Sequence, residues 1–340
     1  MSLKPYLKKL VSGNDLSEME MKEGMDIIFS GNAFESQIGA FLAALALKKE
    51  TYLEVAGAAR SMRENALKIQ TPGQNVIDTC GTGGDGMSTF NISTTVAFVA
   101  AGAGAVVAKH GNRSITSKSG SADVLEALNV KIDVDPEIAE ECIFETGLCF
   151  LFAPRFHGAM KYAAKVRKDV GFKSIFNMLG PLTNPAGTRC QLIGVFAPEL
   201  TEMFALALKE LGSRRVFIAH GHDGLDEISV CAPTRISELN NDSVKTYDLN
   251  PEKYFKELAK KESIMGGTPQ ENAEITKNIL LGKESGPKQN IVLLNSAAAL
   301  VAAGICDSIE EGLELSRDSI SSGKAYQKLE ALRDFTNENG

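Results

Sequence analysis

The stretch Val76–Thr95, VIDTCGTGGDGMSTFNISTT, most constrains what this chain can fold into. A short apolar strand (Val76, Ile77) runs into a loop with four glycines between Gly81 and Gly86, then into an apolar helix whose first turn carries Asn91, Ser93 and Thr94. Glycine permits positive φ and lets the backbone approach a ligand closely. A strand, glycine loop and helix start leave amide N–H groups pointing outward beside the positive end of the helix dipole, a ready phosphate site. No Gly-Lys-Ser/Thr follows, as a P-loop would require. On its own the stretch is also compatible with a tight turn that binds nothing, so the rest of the chain has to decide.

Residues 1–70 read as helices only. Ser17 with Glu20 forms a capping box ahead of Met21, Met25 and Ile28, and Gly31 closes that helix. Ile38, Phe41, Leu42 and Leu45 make one packed face of the next helix, and a small, alanine-rich helix runs from about Thr51 to Lys68. Thr71-Pro72-Gly73 breaks the pattern and marks a domain boundary. From there strands alternate with helices, which predicts an α/β domain with its site at the carboxyl ends of the strands. Strands are expected at 106–109, 131–134, 149–152, 191–197, 215–220 and 244–249. Helices are expected near 122–128, 136–146, 157–168 and 199–211, with a helical tail from Pro269.

At 340 residues the chain is long enough for two domains. A net charge of −7 argues against a broad basic surface for nucleic acid. Six cysteines without C-x-x-C spacing read as reduced thiols. The N-terminus MSLKPYLKKL is too short and charged for a signal sequence, and no apolar run reaches membrane-spanning length. These features imply a cytoplasmic protein with no membrane partner.

Several polar constellations remain. The loop KHGNRSITSKSGS gathers Lys109, Arg113, Lys118 and many hydrogen-bonding side chains directly after a strand, which resembles an anion cradle more than a connector. On the helix at 157–168, Lys161, Lys165 and Lys168 share a face that reads as solvated, whereas Arg167 lies on the side of Met160 and Ala164. A buried guanidinium there needs a partner, either an internal acid or a ligand carboxylate. Adjacent Asp226 and Glu227, in a turn after a strand, offer hard oxygen ligands for Mg²⁺, or are surface acids. Two phosphate-cradle candidates favour the metal. The four histidines sit in loops, and none is assigned as a catalytic base.

GTGGDG with NIST, KHGNRS with SKSGSADVLEAL, FHGAMKYAAKVRKDVGFKSIFNMLGPLTNPA, and HGHDGLDEIS together resemble the anthranilate phosphoribosyltransferase family of tryptophan biosynthesis. The resemblance extends over the helical start, so it covers essentially the whole chain. Ser114 and Asn129 stand where the family more often has alanine and glycine. The resemblance implies a small N-terminal α-helical domain, 1–70, and a larger α/β domain, 74–340, with a central mostly parallel sheet flanked by helices. Part of 165–185 would return to the helical domain. It implies transfer of the phosphoribosyl group of 5-phosphoribosyl 1-diphosphate (PRPP) to the amine of anthranilate, without a covalent nucleophile or general base. Gly81, Gly84, Asp85, Thr89, Asn91, Ile92, Ser93, Thr94, the loop Lys109, His110, Gly111, Asn112, Arg113, Ser114, Ile115, Thr116 and Ser117, and Ser121 would line the PRPP site. Asn112 and Arg167 would hold anthranilate, with Gly81 near it. Ser93, Asp226 and Glu227 would coordinate Mg²⁺. A homodimer formed through the helical domain is implied, and association with an anthranilate synthase amidotransferase subunit is open.

Overall fold

The structure is a computed structural model describing residues 2–73, 75–114 and 118–340. Four helices open the chain: Lys4–Val11, Glu18–Phe29, Glu35–Lys48 and Tyr52–Glu64. The expected capping box is present, with Ser17 Oγ accepting the Glu20 amide and Glu20 Oε2 accepting the Ser17 amide. A second box joins Thr51 and Glu54. The fully buried Glu54 carboxylate also accepts from Leu16 N at 2.9 Å and Lys48 Nζ at 2.8 Å, so its charge is paired within the helical layer. The fourth helix stops short of the expected Lys68. Beyond it the chain is tied to the α/β part, with Leu67 N donating to Phe156 O and Ile69 N to Pro185 O.

Seven strands form one sheet in the order β3-β2-β1-β4-β5-β6-β7. They are β1 Ile77–Gly81, β2 Val107–Gly111, β3 Leu148–Phe152, β4 Cys190–Gly194, β5 Arg215–Gly221, β6 Thr234–Asn240 and β7 Ser243–Leu249. The first five are parallel, and β6 and β7 add an antiparallel hairpin. The chain leaves β1 toward β2 and β3, then returns to place β4 on its other side. That reversal opens a crevice beyond the carboxyl ends of β1 and β4, where open α/β sheets bind ligands.

Other expectations fail too: His110 lies in β2 and His220 in β5, not in loops. Residues 131–134 form no strand: Ile132 and Val134 satisfy their apolar pattern by burial in the core, and Lys131 N donates to Thr336 Oγ1 rather than to a ladder. The helix expected at 157–168 begins as a 3₁₀ turn, Gly158–Met160, and becomes α-helical only over Lys161–Val170, after a separate short helical turn Ala153–Phe156. Asn129 has φ 61°, the left-handed region that asparagine enters more readily than most side chains, which accounts for glycine being usual there.

Two apolar clusters flank the sheet. One packs helices Ile92–Gly102 and Pro287–Ala303 and the C-terminal helices on the first face. The other unites the N-terminal helices, Ala163, Val166, Phe176 and helix Glu199–Glu210 with Ile193, Val216 and Ile218 on the reverse face. The 165–185 stretch touches the helical layer through the Lys165–Glu35 ion pair and the Phe29–Phe176 ring contact.

Candidate active site

The glycine loop leaves the carboxyl end of β1 with Gly83, Gly84 and Gly86 at φ 63°, 79° and 74°, conformations that L side chains rarely adopt. GTGGDG has the letter spacing of a dinucleotide loop, but the following helix starts only at Ile92, so the glycines form an open wall and not a helix start. Asn91, the N-cap residue, does not cap that helix with its side chain. Its amide is committed elsewhere, accepting from Ser119 Oγ and Asn272 Nδ2 at 3.0 Å each and donating to Ser119 O. Ile92 N donates to Phe90 O at 2.8 Å and the Ser93 amide and hydroxyl face the Glu227 carboxylate, so this helix start already engages the chain's own groups. Thr94 Oγ1 is buried without a partner among the described residues, and Thr89 is held by a bridge to Met265.

The end of β2 brings in the second loop. Lys109 is buried, and its ammonium donates to Thr79 O and, at 3.4 Å, to Ser93 Oγ. Burial lowers its pKa, opposed by Asp78, Cys80 and Glu227. His110 donates its backbone N–H to Asp78 Oδ1. Its ring lies 5.1 Å from that of His157, and burial drives the two imidazoles down to about 3 and about 4. Both are neutral packing groups at physiological pH. A Cβ at Gly111 would meet Ser121 Oγ at 2.2 Å, so only glycine lets this strand end approach the next helix so closely.

Asn112 is exposed, and its carbonyl accepts from Ser121 Oγ at 3.3 Å. Arg113 turns away from the cradle, pairing with Asp123 and Glu126 and lying over the Phe152 ring. Asp123 also accepts the amides of Ser114 and Gly120. This loop end is thus organised around a carboxylate. Ile115, Thr116 and Ser117 lie outside the described residues.

The acidic pair arrives from the turn after β5. A Cβ at Gly194 would sit 1.5 Å from Asp226 O, so the acid turn rests directly on the end of β4. Asp226 N donates to Asp85 Oδ2 at 3.4 Å, and Asp226 Oδ2 lies 3.2 Å from where a Cβ of Gly81 would be. Burial, then Asp85 and Glu227, hold the Asp226 carboxyl well above its usual range. Burial, with Asp85, pushes Glu227 up to about 8, against the pull of Lys109 and Ser93. Gly81, Asp85, Asp226, Glu227, Ser93 and Lys109 thus form one connected group. Among the described residues no three His, Cys, Asp or Glu side chains make a ready cation cage. Crowded, buried carboxylates nevertheless fit Mg²⁺, which completes its shell with waters and substrate phosphates.

Arg167 is half-buried and makes no hydrogen bond or ion pair among the described residues. Burial alone lowers its pKa. The expected surroundings differ: Ala164 is exposed, and the helix buries Ala163 and Val166. Sequence reasoning missed Asp78 and Asn184, which lie within VIDTC and LTNPAG. A buried acid in an apolar strand was the available signal, since such a group demands partners.

Residues 4–66 match the helical bundle domain of a glycosyl transferase family, and residues 73–326 match its a/b domain. The anthranilate phosphoribosyltransferase of Desulfosudis oleivorans is 61% identical over 98% of both chains, and that of Desulfatibacillum aliphaticivorans 59% over 98% of both. The crystal structure of the Thermus thermophilus anthranilate phosphoribosyltransferase superposes with a TM-score of 0.92 at 41% identity, covering 97% of this chain and 99% of that one. The Saccharomyces cerevisiae enzyme in complex with PRPP and Mg gives 0.90 at 30% identity, covering 99% and 98%. With both parts of the family fold present and near-complete overlap with these relatives, the chain belongs to the anthranilate phosphoribosyltransferase family.

Proposed function

We propose that this chain transfers the phosphoribosyl group of PRPP to the amine of anthranilate, releasing pyrophosphate. The observation that carries the reading is the connected group around Gly81. An open glycine wall, the start of helix Ile92–Gly102 with Ser93 beside Glu227, and a crowded acid pair meet at the sheet's reversal point. In this reading the glycine loop and the residues from Thr89 to Thr94 hold the diphosphate and ribose through backbone N–H and hydroxyl groups. Lys109 acts from beneath, fixing Ser93 Oγ against the β1 backbone. The loop after β2 and Ser121 close the far side.

Ser93, Asp226 and Glu227 would hold Mg²⁺. When bound, the ion neutralises charge on the departing diphosphate. Arg167, half-buried with no acid partner among the described residues, binds the anthranilate carboxylate, and Asn112 helps to aim the amine at C1 of the ribose. Positioning of this kind lowers barriers by ~7–11 kcal/mol in favourable intramolecular models, so no general base is needed. Burial makes His110 and His157 weak bases, lowered to about 3 and about 4, which agrees with that account.

The proposal extends to an α-helical domain at 1–70, an α/β domain at 74–340, a cytoplasmic location and a homodimer formed through the helical layer. Supporting the dimer, that layer exposes Val11, Met19, Phe34 and Leu47 at 71–89% of their surface. The test is anthranilate fluorescence followed with PRPP and Mg²⁺ present and with each omitted in turn. Loss of fluorescence only in the complete mixture is the expected result. No consumption in the complete mixture overturns the reading.

A further inference from the structure

Lys173 lies at the mouth of the glycine loop, on a segment far from it in sequence. Its Nζ is 3.3 Å from Gly84 O and 3.9 Å from the centre of the Phe196 ring. A Cβ on Gly84 would lie in van der Waals contact with that Nζ at 3.6 Å, so the ammonium sits directly over this glycine. Phe196 is itself fastened to the loop, since its N–H donates to Thr82 Oγ1 at 3.1 Å. The lysine therefore bridges the loops that follow β1 and β4.

Its partners do not match its charge. An ammonium has three donors, and Lys173 is exposed, forms no ion pair among the described residues, and rests on one neutral carbonyl and one ring face. Both contacts are weaker than a charge-assisted bond to a phosphate oxygen. The backbone around it is fixed. Gly171, left-handed at φ 69°, ends helix Lys161–Val170, and Ser174 N is held by Asn177 Oδ1 at 3.1 Å. Only the long side chain is left to move.

We infer that Lys173 is a further diphosphate-binding residue, whose ammonium passes from Gly84 O to a phosphate oxygen when the glycine loop is occupied. This rests on the functional reading above, and it goes beyond it in two ways. The glycine wall gains a mobile cation opposite its amides. The stretch from Arg167 to Lys173 also carries one cation for each substrate, the guanidinium for a carboxylate and the ammonium for a diphosphate.

The test compares wild type with Lys173→Met, which keeps a long stem over Phe196 without the charge, and with Lys173→Arg. Steady-state KM is measured for PRPP and anthranilate, together with calorimetric titration of inorganic pyrophosphate without metal. In Lys173→Met, the PRPP KM and pyrophosphate Kd should rise about tenfold, the loss of one charge-assisted hydrogen bond, while the anthranilate KM stays within about twofold. Lys173→Arg should recover most of the PRPP affinity. Unchanged PRPP KM and pyrophosphate Kd in Lys173→Met overturn the inference. So does an equal rise in both KM values, which would make Lys173 only a clip between loops. If wild type fails to consume anthranilate with PRPP, the functional reading falls, and the pyrophosphate titration still decides the role of Lys173.

Discussion

The Asp78 carboxylate accepts the backbone N–H of His110 at 3.1 Å and the side-chain amide of Asn184 at 2.8 Å. Asn184 also donates to Ala108 O, so one buried acid fastens β1, β2 and the 180–185 loop together under the active site. Burial raises the Asp78 pKa, and the charge of Lys109 chiefly opposes it. Replacing Asp78 with Ala strands two donors and an ammonium. The expected loss in urea unfolding is about 3–5 kcal/mol, the usual cost of breaking a buried charged network. A loss below about 1 kcal/mol would show that the network carries no such strain.

Arg167 has no acid partner among the described residues, the basis for proposing its guanidinium as the anthranilate carboxylate's partner. Arg167→Ala should raise the anthranilate KM about ten- to a hundredfold, as loss of a hydrogen bond to a charged group does, and leave the PRPP KM nearly unchanged. An unaltered anthranilate KM would remove Arg167 from the site.

Gly194 is needed for space rather than for φ, since its added Cβ would overlap Asp226 O. Gly194→Ala must displace the acid turn. The expected outcome is a drop in kcat/KM of about a hundredfold or more, as misplacement by about 1 Å produces, with secondary structure retained by circular dichroism. Near-normal activity would mean that the turn relaxes freely.

Asp226 and Glu227 are separable from the phosphate cradle by titrating Mg²⁺. Glu227→Gln should raise the Mg²⁺ concentration giving half-maximal rate about tenfold, while anthranilate binding is unaffected. A Mg²⁺ requirement equal to that of wild type would exclude Glu227 as a ligand.

The buried histidines make a contribution to stability that is lost on acidification, while the buried carboxyls of Asp78, Asp226 and Glu227, all held above their usual range, act with the opposite sign. His157 titrates at about 4 when folded, below the ordinary value near 6.5, because burial penalises its cation. The unfolded chain takes up the proton first, so stability is lost as pH falls from about 6.5 toward 4, at about 1.4 kcal/mol per pH unit for each such group. His110 extends the same trend to about 3. Relative to wild type, a His157→Asn variant should lose less stability, read from its urea midpoint, as pH is lowered over that window. An identical slope would assign the acid sensitivity to other groups.

Much of this was legible where local chemistry and tertiary packing agree. The capping box at Ser17, the helix Pro136–Thr146 and the glycine loop at the end of β1 follow from caps, a proline at a helix start and glycine spacing. Packing decided the remainder. The apolar positions in 131–134 are satisfied by burial without a ladder, which periodicity cannot distinguish from a strand. Strand β6, with Ser237 and Glu238 inside it and Pro233 before it, carries too little β-branched character to stand out. Arg113 looked like a phosphate ligand because its acidic partners, ten and thirteen residues on, belong to a helix that turns back over the loop.

The second apolar cluster joins Met21, Met25, Phe41 and Leu42 of the N-terminal helices to Ile193, Val216 and Ile218 of the sheet through Phe204 and Leu208. The two family segments therefore share one interior, and the seam between them is a core and not a hinge filled with solvent. A chain truncated at residue 73 would present that whole layer to water, so the α/β portion should aggregate when made alone. Heat or urea should melt the intact chain in one step, and whatever loosens the helical layer should also loosen the floor beneath the substrates.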